Sequence, residues 1–391
     1  MKRRERIANV IREYDAQGMH RTATTTDEAS AHWLAGHVKA AGLEPRLEGY
    51  DVHRLDPGEC FLEVDGRRIE GVPLFDCKYT EVDGVSGQLS ASPSSGEIAL
   101  VEVERGHLAS SLRTLRRESN AVAIVVVTVG RGRSAFTDGD TRGLVLHNAY
   151  DFDEPFGPPV LQVSNEVVEW LRERAEVGTR ARVVAPAQRT WATAYNVTAE
   201  LPGSDPKLKP VAVNTPRSGW WEIAAERGSG IACWLEVMRG LVASGSARRV
   251  FFSANSGHEL SFSGMVSVLE SYPYLVTDAT WLHFGANIGA ITGTLGNVAA
   301  STEVLQRIAA AELDSVSRPT HYVIGEPDGG EMASVHRRGG RQYLALTNDN
   351  AYFHMREDRF SNNIDVDLVA EYASACLRIA RRLVVYSPSD I

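Results

Sequence analysis

A strand, a helix and a second strand follow one another between residues 209 and 255, and this succession limits the fold more than any other part of the chain. KPVAVNT (Lys209 to Thr215) has the apolar character of a buried strand, GIACWLEVMRGLVASG repeats apolar residues at helical spacing, and RVFFSAN is again strand-like. A βαβ unit of this kind favours parallel strands. We therefore predict an α/β domain with a mixed, mostly parallel sheet flanked by helices.

Polar side chains follow the ends of these strands. Glu226 lies in the loop AAERGSG before the helix, and His258 and Glu259 are adjacent in the glycine loop after the second strand. His354 lies in AYFHMREDRF, before a helix predicted from about Asp365 to Arg382. Adjacency alone is weak evidence, because a chain with 11 His and 50 acidic residues places some of them together by chance. Strand ends of an α/β sheet nevertheless bring such distant residues to one cleft.

Together these segments resemble the zinc aminopeptidase and glutaminyl cyclase family of M28-like peptidases. YNVTAELPGSDPKLKPVAVN resembles the family's entry strand, turn and next strand, and AERGSGIACWLEVMRGL resembles its ligand loop and helix. RVFFSANSGHELSFSG is similar to its double-Glu loop, and FHMREDRFSNNIDVDLV to its last His loop. The resemblance implies a catalytic domain made of residues 1–53 and 190–391.

The resemblance also implies a metal site. Glu226, Glu259 and His354 match three ligands of the family's first zinc, so they are expected to hold at most one zinc ion. His258 stands where the family carries its catalytic Glu. An imidazole titrates near neutral pH, so His258 is the expected proton carrier.

Two departures from the family pattern concern the second zinc. Thr215, Pro216 and Arg217 stand where the family has a His-x-Asp element, and Gly285 or Ala286 stands where it has a further Asp ligand. The second zinc site is therefore expected to be lost, and with it the usual anchor of a free amino terminus.

Other residues are candidates for lining the cleft. Arg217 and Arg227 are expected to grip a substrate carboxylate or carbonyl, or else to be ordinary ion-paired arginines. Ser218 is a substrate-binding candidate, and its place in a glycine turn rather than a strand-turn-helix elbow argues against a serine nucleophile. The remaining substrate-binding candidates are Trp220, Trp221 and Asn287, although the two tryptophans are equally compatible with a lid over an ordinary core. Spacing alone does not assign Glu331 and His336, and His283 reads as a core histidine.

Residues 54–189 have a different pattern of apolar residues. Short apolar runs, such as GEIALVEVE and AVAIVVVTVG, are separated by Gly, Pro and Ser. They are interpreted as a β-rich insert that resembles protease-associated domains. Its segment LHNAYDFDEPFGPPVLQVS has turn residues around Pro155 to Pro159 and is a candidate lid over the cleft.

Composition narrows the partners. A net charge of −9 argues against a general nucleic-acid partner, and no apolar run reaches the length of a membrane span. The first residues, MKRRERIANVIREYDAQG, form a basic amphipathic pattern without the apolar region of a signal peptide. Four widely spaced cysteines are interpreted as buried thiols, which favours a reducing cytoplasm. The sequence does not indicate an oligomeric state.

The sequence thus predicts an enzyme of the zinc-aminopeptidase fold that acts on an amide or an amino-acid-like small substrate, by hydrolysis or by intramolecular cyclisation, with at most one zinc. One alternative is a metal-independent enzyme in which His258, Glu259 and Arg217 serve as acid, base and clamp. Another is a non-catalytic protein that keeps the fold and binds a ligand. Simple aminoacyl reporter substrates are expected to be poor substrates.

Overall fold

The computed structural model describes residues 2–92, 94–105, 110–130, 141–327 and 329–385, with side chains left out at 110 and 111. Parts of the predicted insert, residues 106–109 and 131–140, therefore lie outside the described residues. The strands, in chain order, are β1 (Arg46–Pro57), β2 (Phe61–Val64), β3 (Arg67–Pro73), β4 (Val85–Ser90), β5 (Ile98–Glu104), β6 (Ala123–Val129), β7 (Val160–Val163), β8 (Arg180–Val184), β9 (Ala187–Leu201), β10 (Val211–Pro216), β11 (Val250–Asn255), β12 (Thr280–Ala286), β13 (Gly296–Ala300), β14 (Thr320–Ile324) and β15 (Tyr343–Asn348).

The helices alternate with the strands in the second half of the chain, as the sequence predicts. They are α1 (Arg3–Asp15), α2 (Thr25–Ala40), α3 (Ser110–Glu118), α4 (Val168–Glu176), α5 (Ser229–Ser244), α6 (Ser263–Ser271), α7 (Tyr274–Asp278), α8 (Glu303–Leu313), α9 (Gly330–Arg337), α10 (Phe360–Asn363) and α11 (Val366–Leu383). A short π-helical turn, Ala224–Gly228, leads into α5.

The main sheet has eight strands in the order β1-β9-β11-β10-β12-β15-β13-β14. Its centre is parallel: β10 pairs in parallel with β11 and β12, and β12 pairs in parallel with β15. Every residue of β10 is buried, as expected for a strand with helices on both faces. The predicted mixed, mostly parallel sheet is confirmed. The carboxyl ends of β10, β11, β12 and β15 open at the same edge.

Helices α5 and α11 pack against each other beside this sheet. Gly240 in α5 permits the close approach, because a Cβ atom there would lie 2.4 Å from the side chain of Leu377. The predicted helix after His354 is confirmed as α11, and the side chain of Asp365 caps it by accepting from the backbone of Asp367 and Leu368.

The insert is a closed barrel with the strand order β2-β3-β7-β6-β5-β4-β8. It is reached along β1 and β9, which pair antiparallel from Arg46↔Thr198 to Pro57↔Ala187. Apolar residues on one face of the barrel strands form a core of their own, and those on the other face of β5, β6 and β7 form a second cluster with Leu112 of α3. The prediction of a β-rich insert is confirmed. The domain boundaries predicted at 53/54 and 189/190 fall within the β1–β9 ladder.

Part of the insert returns to the main domain and covers the sheet edge. The backbone N–H of Ala149 donates to the carbonyl of Glu259 at 2.8 Å, and the N–H of Ser261 donates back to the carbonyl of Ala149 at 2.9 Å. The N–H of Leu146 donates to the carbonyl of His354 at 3.3 Å. These bonds hold the predicted lid segment against both candidate loops. No helix in the described ranges combines the length and apolar character that a bilayer crossing requires.

Candidate active site

A cavity of about 340 Å³ lies at the carboxyl edge of the main sheet. It is bounded by the loop after β11, the ends of β12 and β15, the start of α9, the loop that carries His354, and the covering segment of the insert. Its titratable lining residues are His147, Tyr150, His258, His283, Glu331 and His354. Phe262, Met332 and Phe353 supply apolar wall. The cavity therefore places several acid–base groups in a partly apolar environment.

His258 and Glu331 form a close imidazole–carboxylate pair in the wall of this cavity. Nδ1 of His258 lies 2.7 Å from Oε1 of Glu331, and Nε2 of His283 lies 3.5 Å from the other oxygen, Oε2. The side chain of Glu331 is buried. Because the carboxylate accepts at Nδ1, the hydrogen of neutral His258 is on Nδ1. Its Nε2 has no hydrogen-bond partner among the described residues and carries a lone pair at the cavity wall.

The charge of Glu331 is stabilised by its neighbours. Burial alone raises the pKa of a carboxyl group, but the charge and hydrogen bond of His258, together with His283 and Arg227, lower the pKa of Glu331 to about 2. Glu331 therefore stays ionised throughout the neutral range. A fixed negative charge at Nδ1 stabilises the imidazolium form of His258, which is the form produced when Nε2 takes a proton.

His354 faces Glu226 across a short gap. Nδ1 of His354 donates to the carbonyl of Leu146 at 2.7 Å, so the neutral ring presents a lone pair at Nε2. That nitrogen lies 3.7 Å from Oε1 of Glu226 and has no hydrogen-bond partner in the described chain. Nη2 of Arg227 lies 2.9 Å from the same oxygen. Burial raises the pKa of Glu226, but Arg227 and His354 lower it overall.

Glu259 points away from this cavity. Its Oε1 accepts from both the backbone N–H and the hydroxyl of Thr22, each at 2.7 Å, and its Oε2 accepts from the hydroxyl of Ser218 at 2.7 Å. The same Ser218 oxygen accepts from the backbone N–H of His258 at 3.1 Å. Glu259 therefore ties the N-terminal segment to the loop that carries His258.

These contacts test whether the predicted ligand set fits zinc. Both oxygens of Glu259 are already used, and the guanidinium of Arg227 places a positive charge beside Glu226. Only Glu226 and His354 of the three face each other. No group of three or more His, Cys, Asp or Glu side chains in the described residues is arranged to hold a metal ion. The described residues thus do not fit the zinc ligand set that the sequence suggested.

Arg217 lies outside the cavity, contrary to its expected role as a substrate clamp. Its Nη1 lies 2.9 Å from Oδ1 of Asp27 and donates to the carbonyl of Asp27, and its Nη2 donates to the carbonyl of Tyr195. The side chains of Arg217 and Asp27 are 0% and 1% exposed, respectively. Asp27 lies in the first turn of α2, which the side chain of Thr24 caps, and its carboxylate pairs with Arg217 and accepts from the hydroxyl of Ser256.

The other predicted binding residues are also placed by the fold. Trp220 and Trp221 are buried in the main core, with Nε1 atoms that donate to Asn148 Oδ1 and to the carbonyl of His354, so they are not an exposed aromatic wall. Arg227 is buried and donates to the carbonyls of Ser218 and Gly285. Asn287 lines a second cavity, described below, next to the first. Of the named candidates, only His258 and His354 line the first cavity.

Three residues of the site carried little sequence signal. Glu331 follows two glycines at the start of α9 and pairs with His258 across a separation of 73 residues. His283 lies inside β12, where its Nδ1 contacts Oδ1 of Asn214 at 2.8 Å. His147 comes from the insert, where its Nε2 contacts the hydroxyl of Thr128 at 2.9 Å. No spacing in the sequence connects these residues, because separate loops bring them together.

The architecture and the position of the cleft define the zinc-aminopeptidase fold. The structure is similar to that of a zinc aminopeptidase from Bacillus subtilis, with a TM-score of 0.78 and 16% identity over 99% of this chain and 97% of that chain. The structure is also similar to that of an aminopeptidase from Aneurinibacillus sp. strain AM-1, with a TM-score of 0.72 and 15% identity over 98% of this chain and 96% of that chain. For a peptidase M28 precursor from Shewanella amazonensis SB2B, the TM-score is 0.75 and the identity is 14%, over 97% of this chain and 96% of that chain.

At these identities the similarity establishes the fold, and the predicted M28-like fold is confirmed. No family model matches the sequence, and no curated protein matches it by sequence. The chain spans almost the full length of the neighbours named above, so the barrel insert is included in the similarity.

The buried imidazoles give a test of this site that needs no substrate. Burial lowers the pKa of His283 and of His354 to about 4 each, against the attraction of Glu331 and Glu226 respectively. In the unfolded chain both rings titrate near 6.5. Their contribution to stability is therefore complete above about pH 6.5 and is lost as the pH falls towards 4.

We expect NMR of labelled imidazoles to show both rings neutral, with the hydrogen on Nδ1, at about pH 5.5. His283→Asn and His354→Asn variants assign the two signals. A titration midpoint at or above pH 6 for either ring would contradict the burial seen in the structure.

Proposed function

We propose that this protein is a hydrolase of small amide or peptide-like substrates in which His258, oriented by Glu331, is the general base. The observation that carries the proposal is the 2.7 Å contact between His258 Nδ1 and Glu331 Oε1. This contact lies in the wall of the first cavity, the space of about 340 Å³ that we call the reaction cavity. A base needs an unprotonated nitrogen that faces the substrate and a partner that stabilises its protonated form. His258 and Glu331 meet both requirements.

The proposed reaction follows from these two groups. His258 Nε2 takes a proton from a water molecule, whose oxygen attacks the amide carbonyl carbon. The tetrahedral intermediate then expels the amine, which receives the proton from the imidazolium, and the carbon–nitrogen bond breaks. Glu331 remains ionised and holds the ring in one orientation. The apolar wall formed by Phe262, Met332 and Phe353 limits the water that competes for these groups.

The metal-independent form of this proposal rests on the contacts of the candidate ligands. Glu259 is engaged by Thr22 and Ser218, and Arg227 lies beside Glu226. The similar structure from Bacillus subtilis is that of a zinc aminopeptidase, and a zinc-assisted reaction is the competing hypothesis for this chain. Cyclisation would also use His258 as the base. Hydrolysis is favoured because a second cavity shares wall residues with the first and offers space for both parts of a cleaved amide.

The function is tested with a panel of amides that separates these hypotheses. Purified protein, with and without exhaustive chelation, is incubated with dipeptides, N-acyl amino acids, aminoacyl anilides and peptides with N-terminal glutamine, and the products are identified by mass spectrometry. We expect hydrolysis of dipeptides or N-acyl amino acids, with the rate unchanged by chelation, and poor turnover of anilides. A zinc aminopeptidase treated in parallel is the control for effective chelation.

Each other result contradicts a particular part of the proposal. Loss of activity on chelation, with recovery on adding zinc, would restore the metal mechanism. Formation of pyroglutamyl products would identify a cyclase. Absence of turnover for every class, together with binding of one of them, would favour a ligand-binding protein that keeps the fold.

A further inference from the structure

A second cavity of about 480 Å³ adjoins the reaction cavity. The two cavities share the wall residues Ala286, Ala299, Thr347 and Phe353. Phe353 lies at the boundary between the cavities, where its ring contacts that of His354 with centroids 3.9 Å apart and ring planes inclined by 32°. The second cavity is therefore the neighbouring space that a substrate held at His258 would enter on extending past Phe353.

One arginine of the second cavity comes from the insert rather than from the main domain. Arg105 directly follows β5, is 8% exposed, and lines the cavity. Its Nη2 donates to the carbonyl of Phe353 at 3.0 Å and contacts Sδ of Met355 at 3.2 Å. These contacts fix the guanidinium against the loop that carries His354.

The guanidinium is only partly satisfied. Nη1 of Arg105 is buried and has no hydrogen-bond partner among the residues that the structure describes. Burial lowers the pKa of Arg105 to about 10, and Glu357 opposes that shift only in part. A buried cationic donor without a partner costs free energy, and a carboxylate that binds it bidentately removes that cost.

The rest of the cavity combines polar and apolar lining. Asn287 and His321 contribute polar groups, and Val298 and Val323 contribute apolar surface. Asp349 is the one carboxylate among the described lining residues, and it accepts from Asn297 Nδ2 at 3.1 Å and from the hydroxyl of Thr294 at 3.3 Å, so its oxygens are engaged by neutral donors.

We propose that Arg105 binds a carboxylate in this second cavity, and that the substrate is a short amide bearing a carboxylate on the side that extends past Phe353. The sequence assigned a carboxylate clamp to Arg217, and the structure places Arg105 where such a clamp can act. The substrate class rests on the proposed hydrolase function, whereas carboxylate binding by Arg105 does not.

The test measures binding by calorimetry in full-length protein with the His258→Gln substitution, which prevents turnover. The probes are glycyl-leucine, glycyl-leucinamide and glycyl-aspartate α-amide, whose only carboxylate is on its side chain. We expect at least one acidic probe to bind about 10- to 100-fold more tightly than glycyl-leucinamide, as a hydrogen bond to a charged group predicts. Which acidic probe is preferred shows whether a terminal or a side-chain carboxylate is recognised.

Arg105→Met, added to the same background, should abolish this discrimination, and Arg105→Lys should keep part of it because the charge remains without the planar fork. Arg172→Met is the matched control, since Arg172 is also an arginine of the insert and pairs with Glu102 on β5 away from the cavity. It should leave the discrimination unchanged.

The inference fails if the acidic probes bind no better than the amide, or if Arg105→Met and Arg105→Lys discriminate as the background does. Failure of the proposed function looks different. Tighter binding of the acidic probes without turnover by wild-type protein would support the Arg105 subsite and contradict the hydrolase function. Turnover of glycyl-leucine and glycyl-leucinamide at equal rates would support the hydrolase function and contradict the Arg105 subsite.

Discussion

The variant His258→Gln is expected to lower the turnover of the substrate found in the amide panel by about 10²–10⁴-fold, with the fold intact. Glutamine keeps a hydrogen bond to Glu331 but cannot take a proton from water. Glu331→Gln should cause a similar loss, since it removes the charge that stabilises the imidazolium. Because the two residues act as one unit, the double variant should be little worse than either single variant.

The control for this prediction is His336→Gln. His336 lies at the other end of α9, where its Nε2 is 3.3 Å from Oε1 of Glu326, outside the reaction cavity. It reproduces the loss of an imidazole–carboxylate contact from the same helix and should leave turnover unchanged. Full activity in His258→Gln would show that the His258–Glu331 pair is structural, and additive losses in the double variant would show that the two residues do not act as one unit. The pH–rate profile provides a second readout, because Glu331→Gln should shift its acidic limb.

The variant Arg217→Met is expected to lower the free energy of unfolding by about 3–5 kcal/mol, the usual cost of leaving one charge of a buried pair without its partner. Arg217 and Asp27 are 2.9 Å apart and almost fully buried, and Arg217 also donates to two backbone carbonyls. The sequence predicts loss of ligand binding for this variant, whereas the structure predicts loss of stability. Denaturant unfolding, monitored by tryptophan fluorescence, measures the difference.

Two further variants are controls for the stability change in Arg217→Met. Lys209→Met removes an exposed pair with Asp278 in the same domain and should cost less than about 1 kcal/mol. Arg217→Met combined with Asp27→Leu should recover part of the lost stability, because no charge is then left buried alone. A wild-type unfolding free energy in Arg217→Met, with weaker binding of an acidic dipeptide, would return Arg217 to the substrate site.

Much of the fold follows from local patterns in the sequence. The buried strand at Lys209 to Thr215, the helix that becomes α5 and the helix that becomes α11 each carry an apolar period that belongs to one element. Parallel pairing follows from their order along the chain. The sequence distinguishes the insert from the main domain because the pattern of apolar residues changes near residue 54. These features depend on neighbours in sequence, so the sequence is sufficient to predict them.

The candidate site was predicted only in part. His258 and His354 follow strand ends or loops, and both line the cavity. Glu259 was grouped with them because it is adjacent to His258, but adjacent side chains at a turn point in different directions. Its carboxylate instead accepts from Thr22, which lies 237 residues away in the chain. Glu331 was not preferred over other acidic residues, because its pairing with His258 depends on how α9 packs against the loop after β11.

The sequence by itself determined the βαβ order, the aminopeptidase-like fold, the β-rich insert and the presence of chemically capable residues at strand ends. Only the tertiary structure decided which charged groups meet. It buried Arg217 against Asp27, placed Arg227 beside Glu226, paired Glu331 with His258 and brought Arg105 from the insert to a cavity of the main domain. The physical reason is range: secondary structure depends on periodicities over a few residues, whereas the partner of a charge depends on the packing of segments that the sequence separates by tens to hundreds of residues.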